Sequence, residues 1–224
     1  MIKCITFDLD DTLWKIEPVI LRAEVKFYEW LKDKYPVVTE KFNIESLRNL
    51  MKQTLLENQD IKYDLTKVRL LAYEKIKNTY NLPDNMPSEG FNLFMLHRNK
   101  VTLFDGVERI LSELKSKYIL GTITNGNASL GTIGISNYFN FEIKAEDVGY
   151  MKPSSEIFYA AIKEADCLPT EILHVGDSYE KDIIGAMSVN MSYLWINHNN
   201  DIKKNIDKKN IIKSILQIPV SLDN

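Results

Sequence analysis

The amino-acid sequence predicts an α/β fold: a doubly wound parallel sheet with a bundle of α-helices inserted into it. Three observations predict it. Short apolar runs at residues 5–7, 118–124, 139–143, 172–176 and 192–196 read as strands, and helical segments at 107–117, 155–165 and 179–188 lie among them. That alternation builds a parallel sheet with right-handed crossovers. A long stretch after the first run is helical in pattern almost throughout. The strand-like runs also end on polar residues, and such sheets bind ligands beyond the carboxyl ends of their strands.

Taken in order, the first element is the run Ile5-Thr6-Phe7, followed at once by Asp8-Leu9-Asp10-Asp11-Thr12-Leu13. Three carboxylates in four residues at a strand end are costly. Asp8 and Asp10 are two apart, so in extended chain they point to one side. Like charges that close raise each other's pKa unless a cation lies between them. A hard divalent ion with oxygen ligands would relieve them.

The helical stretch repeats an amphipathic pattern three times. Ile20, Phe27, Trp30 and Leu31 mark residues 19–35; Leu47, Leu50, Met51 and Leu55 mark 44–56; Leu65, Val68, Leu71, Ala72 and Ile76 mark 64–80. Breakers fall at Tyr35-Pro36 and Leu82-Pro83. Helices packed chiefly on one another form a small bundle. Phe27 and Trp30 are expected in its core, and Arg69 and Lys62 on solvated faces. Trp14, at the crossing into this stretch, is expected near the substrate pocket.

The remaining strands deliver chemistry to one rim. Thr124-Asn125-Gly126 ends the second run, Lys152-Pro153 follows the third, and Gly176-Asp177-Ser178 ends the fourth, with Asp182 in the next helix. Asp8 suits a nucleophile and Asp10 a proton shuttle. Asp8, the backbone carbonyl of Asp10, and Asp177 suit Mg²⁺. The Thr124 hydroxyl and the backbone N–H groups of the Asn125-Gly126 turn suit phosphoryl oxygens. Lys152 supplies a fixed positive charge, and Asp182 orients either Lys152 or a metal-bound water. Asp11 and Thr12 are expected to shape the turn, and His174 to pack in the core or near the site.

Composition narrows the class. The chain has 224 residues with 45% hydrophobic and 26% charged, as soluble globular proteins do. A net charge of −3 argues against a nucleic-acid polymer or anionic membrane as partner. No run reaches the ~18 apolar residues of a spanning helix. Met1-Ile2-Lys3 leads straight into a strand without a leader pattern, so a cytoplasmic location is expected. Cys4 and Cys167 have no metal-type spacing and read as two reduced thiols. The tail at 199–210, rich in Asn, Lys and Asp, is expected to be a solvated surface segment.

The four segments resemble, in order, the motifs of the haloacid dehalogenase (HAD) superfamily of hydrolases: Phe7-Asp8-Leu9-Asp10-Asp11-Thr12-Leu13, Ile123-Thr124-Asn125-Gly126, Lys152-Pro153, and Gly176-Asp177-Ser178-Tyr179-Glu180-Lys181-Asp182. Asp105-Gly106-Val107 and Ser155-Glu156-Ile157-Phe158 extend the resemblance. It implies a Rossmann-like catalytic core over 1–15 and 101–224 and a helical cap over 16–100, opening and closing over the Asp8 rim. It implies Asp8 as nucleophile, Asp10 as general acid/base, Mg²⁺ at Asp8, Asp10 and Asp177, and phosphate held by Thr124, Asn125, Gly126 and Lys152, with Asp182 in support. Where the family often has Ala-Gly-Met, this chain has Val189-Asn190-Met191, so a helix end is expected at Asn190 in the left-handed conformation.

The implied activity is Mg²⁺-dependent hydrolysis of a small phosphomonoester, a nucleotide or sugar phosphate, through an aspartyl-phosphate. Dehalogenases of this group lack an acid two residues beyond the nucleophile, because carbon–halogen cleavage releases no oxygen that needs a proton. Phosphomutase and 2-haloacid dehalogenase chemistry are the alternatives within the superfamily. A receiver-type phosphoaspartate signalling domain is the alternative outside it, against which stand the long helical insert and the Asp8/Asp10 pair.

Overall fold

The computed structural model describes residues 1–203 and 206–222. Two compact units are present: Met1–Lys15 with Thr102–Gly126 and Gly134–Asn224, and Ile16–Val101 with Asn127–Ile133. Among the described residues no helix is long and apolar enough to cross a membrane.

The first unit is built on a six-stranded sheet: β1 Cys4–Phe7, β2 Ile119–Thr124, β3 Phe141–Lys144, β4 Ile172–Gly176, β5 Ser192–Ile196 and β6 Ile211–Ile212. The strand order is β3-β2-β1-β4-β5-β6 and every pair is parallel. All of β1 and β4 is buried, as strands covered on both faces must be. Phe7 is in register with Thr122 on one side and Val175 on the other. The carboxyl ends of β1, β2 and β4 therefore reach one edge together. Between β1 and β4 the order reverses, and that switch point is where doubly wound sheets leave a crevice.

The structure adjusts several elements read from the sequence. The third strand begins at Phe141, because Ser136–Tyr138 forms a 3₁₀ turn and Phe139 packs edge-on against Phe7 at 6.2 Å. The segment after β4 is a π turn, Tyr179–Ile183, followed by a short α-helix, Ile184–Ser188. Asn190 adopts φ 60°, the left-handed helix end expected of it. The 199–210 tail is not wholly solvated. Ile206 is buried against Ile183 and Trp195, and Asn197 and Asp201 exchange two hydrogen bonds. Lys204 and Asn205 of that tail lie outside the described residues. Two-residue β6 follows; so short a strand carries no periodicity to read.

The second unit contains helices Glu17–Lys34, Ile44–Glu57, Leu65–Tyr80 and Met86–Arg98. Asn43 and Ser46 form a reciprocal capping box, and Asp64 caps the next helix through the Lys67 N–H. The core collects Phe27, Leu31, Leu47, Ala72, Tyr73 and Ile76. Phe27 stacks on Tyr73 at 4.1 Å and 12°, and Trp30 is packed against this cluster. Arg69 is not simply solvated: its guanidinium lies 3.6 Å from the centre of the Phe94 ring, a cation–π contact. Gly90 lets two helices approach closely, since a Cβ there would lie 2.6 Å from the Phe27 ring. Gly90→Ala is expected to destabilise the fold by about 1–3 kcal/mol through overpacking, read as a lowered urea midpoint; an unchanged midpoint would mean the ring moves freely.

Candidate active site

Asp8 follows β1 directly, and its N–H extends the ladder to the Val175 carbonyl at 2.9 Å. Its carboxylate is buried. Oδ1 accepts from the Lys152 ammonium at 2.6 Å and Oδ2 from the Thr12 hydroxyl at 3.3 Å. Thr12 thus does more than shape the turn: the hydroxyl four residues beyond Asp8 is aimed back at it. Asp11 does have a turn role. It sits at φ 60°, donates its N–H to the Trp14 carbonyl at 2.7 Å and pairs with Lys15 at 3.0 Å.

Lys152 is 2% exposed. Its ammonium donates to Asp8 Oδ1, Asp182 Oδ1 and the Ile123 carbonyl, each at 2.6 Å. An ammonium has three protons, so all are committed. In this arrangement the ammonium has no donor left for a further acceptor. Burial alone would lower its pKa, but Asp182 and Asp8 hold it up at about 12.

Asn125 has a second task beside its backbone. Its side-chain amide brackets the Lys152 peptide, donating to the Lys152 carbonyl at 3.0 Å and accepting from the Lys152 N–H at 2.7 Å. This ties the end of β2 to the lysine loop. The buried Thr124 hydroxyl accepts from the Gly126 N–H at 3.0 Å and so closes the same turn.

Asp182 is buried through the π turn and fully engaged. Oδ1 meets Lys152 and, at 3.2 Å, His174 Nε2; Oδ2 accepts from the Ser178 N–H at 2.9 Å. Burial pushes this carboxyl up, yet the Lys152 charge and the His174 contact outweigh it and hold it well below the usual carboxylate range. Gly176 is required here, because a Cβ would lie 2.3 Å from Asp182 Cγ.

His174, expected in the core or near the site, is buried and bonded to Asp182. A carboxylate only accepts, so Nε2 carries the proton toward Asp182 and Nδ1 accepts from the Thr6 hydroxyl at 2.9 Å. Burial lowers its pKa against the pull of Asp182, keeping it neutral. Only its position two residues before Gly176, inside the strand that leads to Asp177, hinted at this.

Asp177 is half-buried, and its carboxylate has no hydrogen bond or ion pair among the described residues. Its backbone carbonyl accepts from the buried Trp195 indole at 2.8 Å. Asp8, Asp177 and Asp182 each present an oxygen within 4.8 Å of the others. Burial, then neighbouring Asp182 and Asp11, push the Asp177 carboxyl up to about 6. Burial raises Asp8 to about 8, with Lys152 opposing and Asp182 and Asp177 adding to it. Three carboxylates thus face one ammonium and a neutral imidazole. The excess negative charge and the all-oxygen donor set fit a hard divalent cation. Asp182, with Oδ1 shared by Lys152 and His174 and Oδ2 held by the Ser178 N–H, fits as counter-charge to Lys152, whereas Asp177, whose carboxylate has no such bond, and Asp8, whose Oδ2 has only the long 3.3 Å contact to Thr12, fit as ligands.

Asp10 is half-buried and its carboxylate stands outside that trio. Oδ1 accepts from the Trp14 indole N–H at 2.9 Å. Trp14 is fully buried, with its indole N–H turned to this carboxylate.

Comparison with known proteins matches this architecture. A model of the haloacid dehalogenase-like hydrolase family matches residues 2–190. The chain is 31% identical over 213 residues to the 5-amino-6-(5-phospho-D-ribitylamino)uracil phosphatase YigB of Escherichia coli, covering 93% of this chain and 89% of that one. It superposes with a TM-score of 0.92 and 31% identity on the crystal structure of 2-haloacid dehalogenase from Pseudomonas syringae, covering 100% of this chain and 99% of that one. A HAD phosphatase from Thermococcus onnurineus superposes with a TM-score of 0.71 at 26% identity, covering 99% of this chain and 98% of the other. Since the family match spans every one of the segments that meet at the ends of β1, β2 and β4, this chain belongs to the haloacid dehalogenase-like hydrolases.

Proposed function

We propose that this hydrolase is a Mg²⁺-dependent phosphatase that cleaves a small phosphomonoester in two displacements. The observation that carries the reading is Asp10, two residues beyond the buried Asp8, with its carboxylate fixed by the Trp14 indole. In the first displacement an Asp8 oxygen bonds to phosphorus while the ester P–O bond breaks, and Asp10 gives its proton to the departing oxygen. In the second, water bonds to phosphorus, the Asp8–phosphorus link breaks, and Asp10 takes the water's proton. Asp10 ends as it began, so one residue serves as acid and then base. Lys152 opposes the burial that pushes the Asp8 carboxyl up, and its N–H on Oδ1 fixes the carboxylate's rotation.

Asp8, Asp177 and the Asp10 backbone carbonyl would hold Mg²⁺. When bound, the ion neutralises the charge between an anionic nucleophile and an anionic phosphate. Chelation is expected to silence phosphate release, and Mg²⁺ at 100 times its dissociation constant to stabilise the fold by about 2.7 kcal/mol, visible as a raised unfolding temperature. Full turnover in chelator would overturn the metal reading.

The substrate reading rests on the YigB likeness, whose named substrate is a phosphate ester of a small metabolite. The test is inorganic phosphate release across a panel of nucleotide and sugar phosphates. A second reading, 2-haloacid dehalogenase, is favoured by the TM-score of 0.92 to such an enzyme. Halide release from 2-haloacids, with no phosphate released from any ester, would establish it in place of the first.

A further inference from the structure

We propose that Trp14 is a positioning residue that holds the Asp10 carboxyl in the orientation both displacements need; this rests on Asp10 as the acid and base. The indole is completely buried, and its N–H meets Asp10 Oδ1 at 2.9 Å. A buried donor left unpaired is costly, so the indole keeps hold of Asp10 throughout the cycle. An indole donates and never accepts. It therefore occupies a lone pair on Oδ1 without competing for the proton that Asp10 moves. When Asp10 is protonated, a donor on Oδ1 favours the form with the proton on Oδ2.

The backbone makes the hold rigid. Asp10 and Trp14 bridge each other, and Trp14 also bridges Leu103. The N–H groups of Thr12 and Leu13 both return to the Leu9 carbonyl, at 3.2 and 2.8 Å. The Leu13 carbonyl is held by the Phe104 N–H at 2.9 Å. The Asp11 carbonyl contacts His198 Nε2 at 2.7 Å. The indole is thus anchored to the sheet unit on its own account and transmits that anchorage to a half-buried carboxylate. A residue whose proton must reach an ester oxygen first and a water later gains from a fixed direction.

The readout that separates positioning from mere packing is the dependence on leaving group. Values of kcat/KM report the steps through formation of the phosphoenzyme. A nitrophenolate leaves without help, whereas an alkoxide needs the Asp10 proton. Trp14→Phe is expected to lower kcat/KM about 10- to 100-fold for glycerol phosphate and by less than about threefold for nitrophenyl phosphate. Site-specific benzothienylalanine at position 14, which keeps the shape and replaces N–H by sulfur, should reproduce that selective loss even if the Phe variant folds poorly. Equal losses on both substrates, or no loss with benzothienylalanine, would overturn the proposal. Asp10→Asn run beside them separates the two readings. If it shows the leaving-group pattern and the position 14 variants do not, only the Trp14 role fails; if it shows none, the acid/base reading fails with it.

Discussion

Asp8→Asn is expected to lower phosphate release by roughly 10⁴- to 10⁶-fold, the scale seen when a covalent nucleophile is removed. The amide keeps the shape of the carboxylate and can still accept from Lys152, so the geometry that binds Asp182 and His174 survives. Only the attacking oxygen loses its charge. The same substitution has a predicted signature in stability. Asp8 is pushed up to about 8 in the folded protein, chiefly by burial, against an unfolded value near 3.9. A raised folded pKa means the group favours folding at low pH and that this contribution is lost as pH rises through 8. Without a divalent ion, Asp8→Asn should therefore match the wild type near pH 4 and exceed it in stability near pH 8. Urea midpoints at the two pH values check this. Turnover within tenfold of wild type would remove Asp8 from the nucleophile's role.

The legible part of this molecule is the part written in local sequence. The strand runs at 119–124, 172–176 and 192–196 and the helix 155–165 follow from apolar spacing, and the polar residues after β1, β2 and β4 meet because parallel register brings those ends together. What could not be read is what each side chain touches across the fold. Lys152 reaches Asp8 over 144 positions and His174 reaches Thr6 over 168; no local pattern encodes such pairs. Thr12 read as a turn residue because its hydroxyl has many local uses, and only the structure shows it turned to Asp8. The π turn hides in an ordinary helical pattern, yet it delivers Asp182 to the lysine. Trp14 read only as a neighbour of the pocket, from its place at the crossing; that its indole N–H meets Asp10 is a contact the structure adds.

Lys152→Met is expected to cost both activity and fold. Among the described residues the ammonium is the one cation bonded to the two buried carboxylates of Asp8 and Asp182. Removing one partner of a buried ion pair leaves charge uncompensated and typically costs about 3–5 kcal/mol. Losing a preorganised charge beside Asp8 adds an expected rate loss of roughly 10²- to 10³-fold. The pH dependence identifies the cause. In the wild type Asp182 is held below its ordinary range, so its contribution to stability is present above the unfolded value near 3.9 and is lost as pH falls through that region. Without Lys152 the sign reverses: burial now dominates, the folded pKa rises, and stability is lost as pH climbs. The gap between variant and wild type should thus be small at pH 4 and widest at pH 8. Lys152→Met combined with Asp182→Asn should recover much of the lost stability, because the orphaned charge goes with the carboxylate, and none of the lost activity, because Asp8 still lacks its cation. A gap independent of pH, or a double variant no more stable than the single, would mean that Lys152 supports the fold by packing and not by charge.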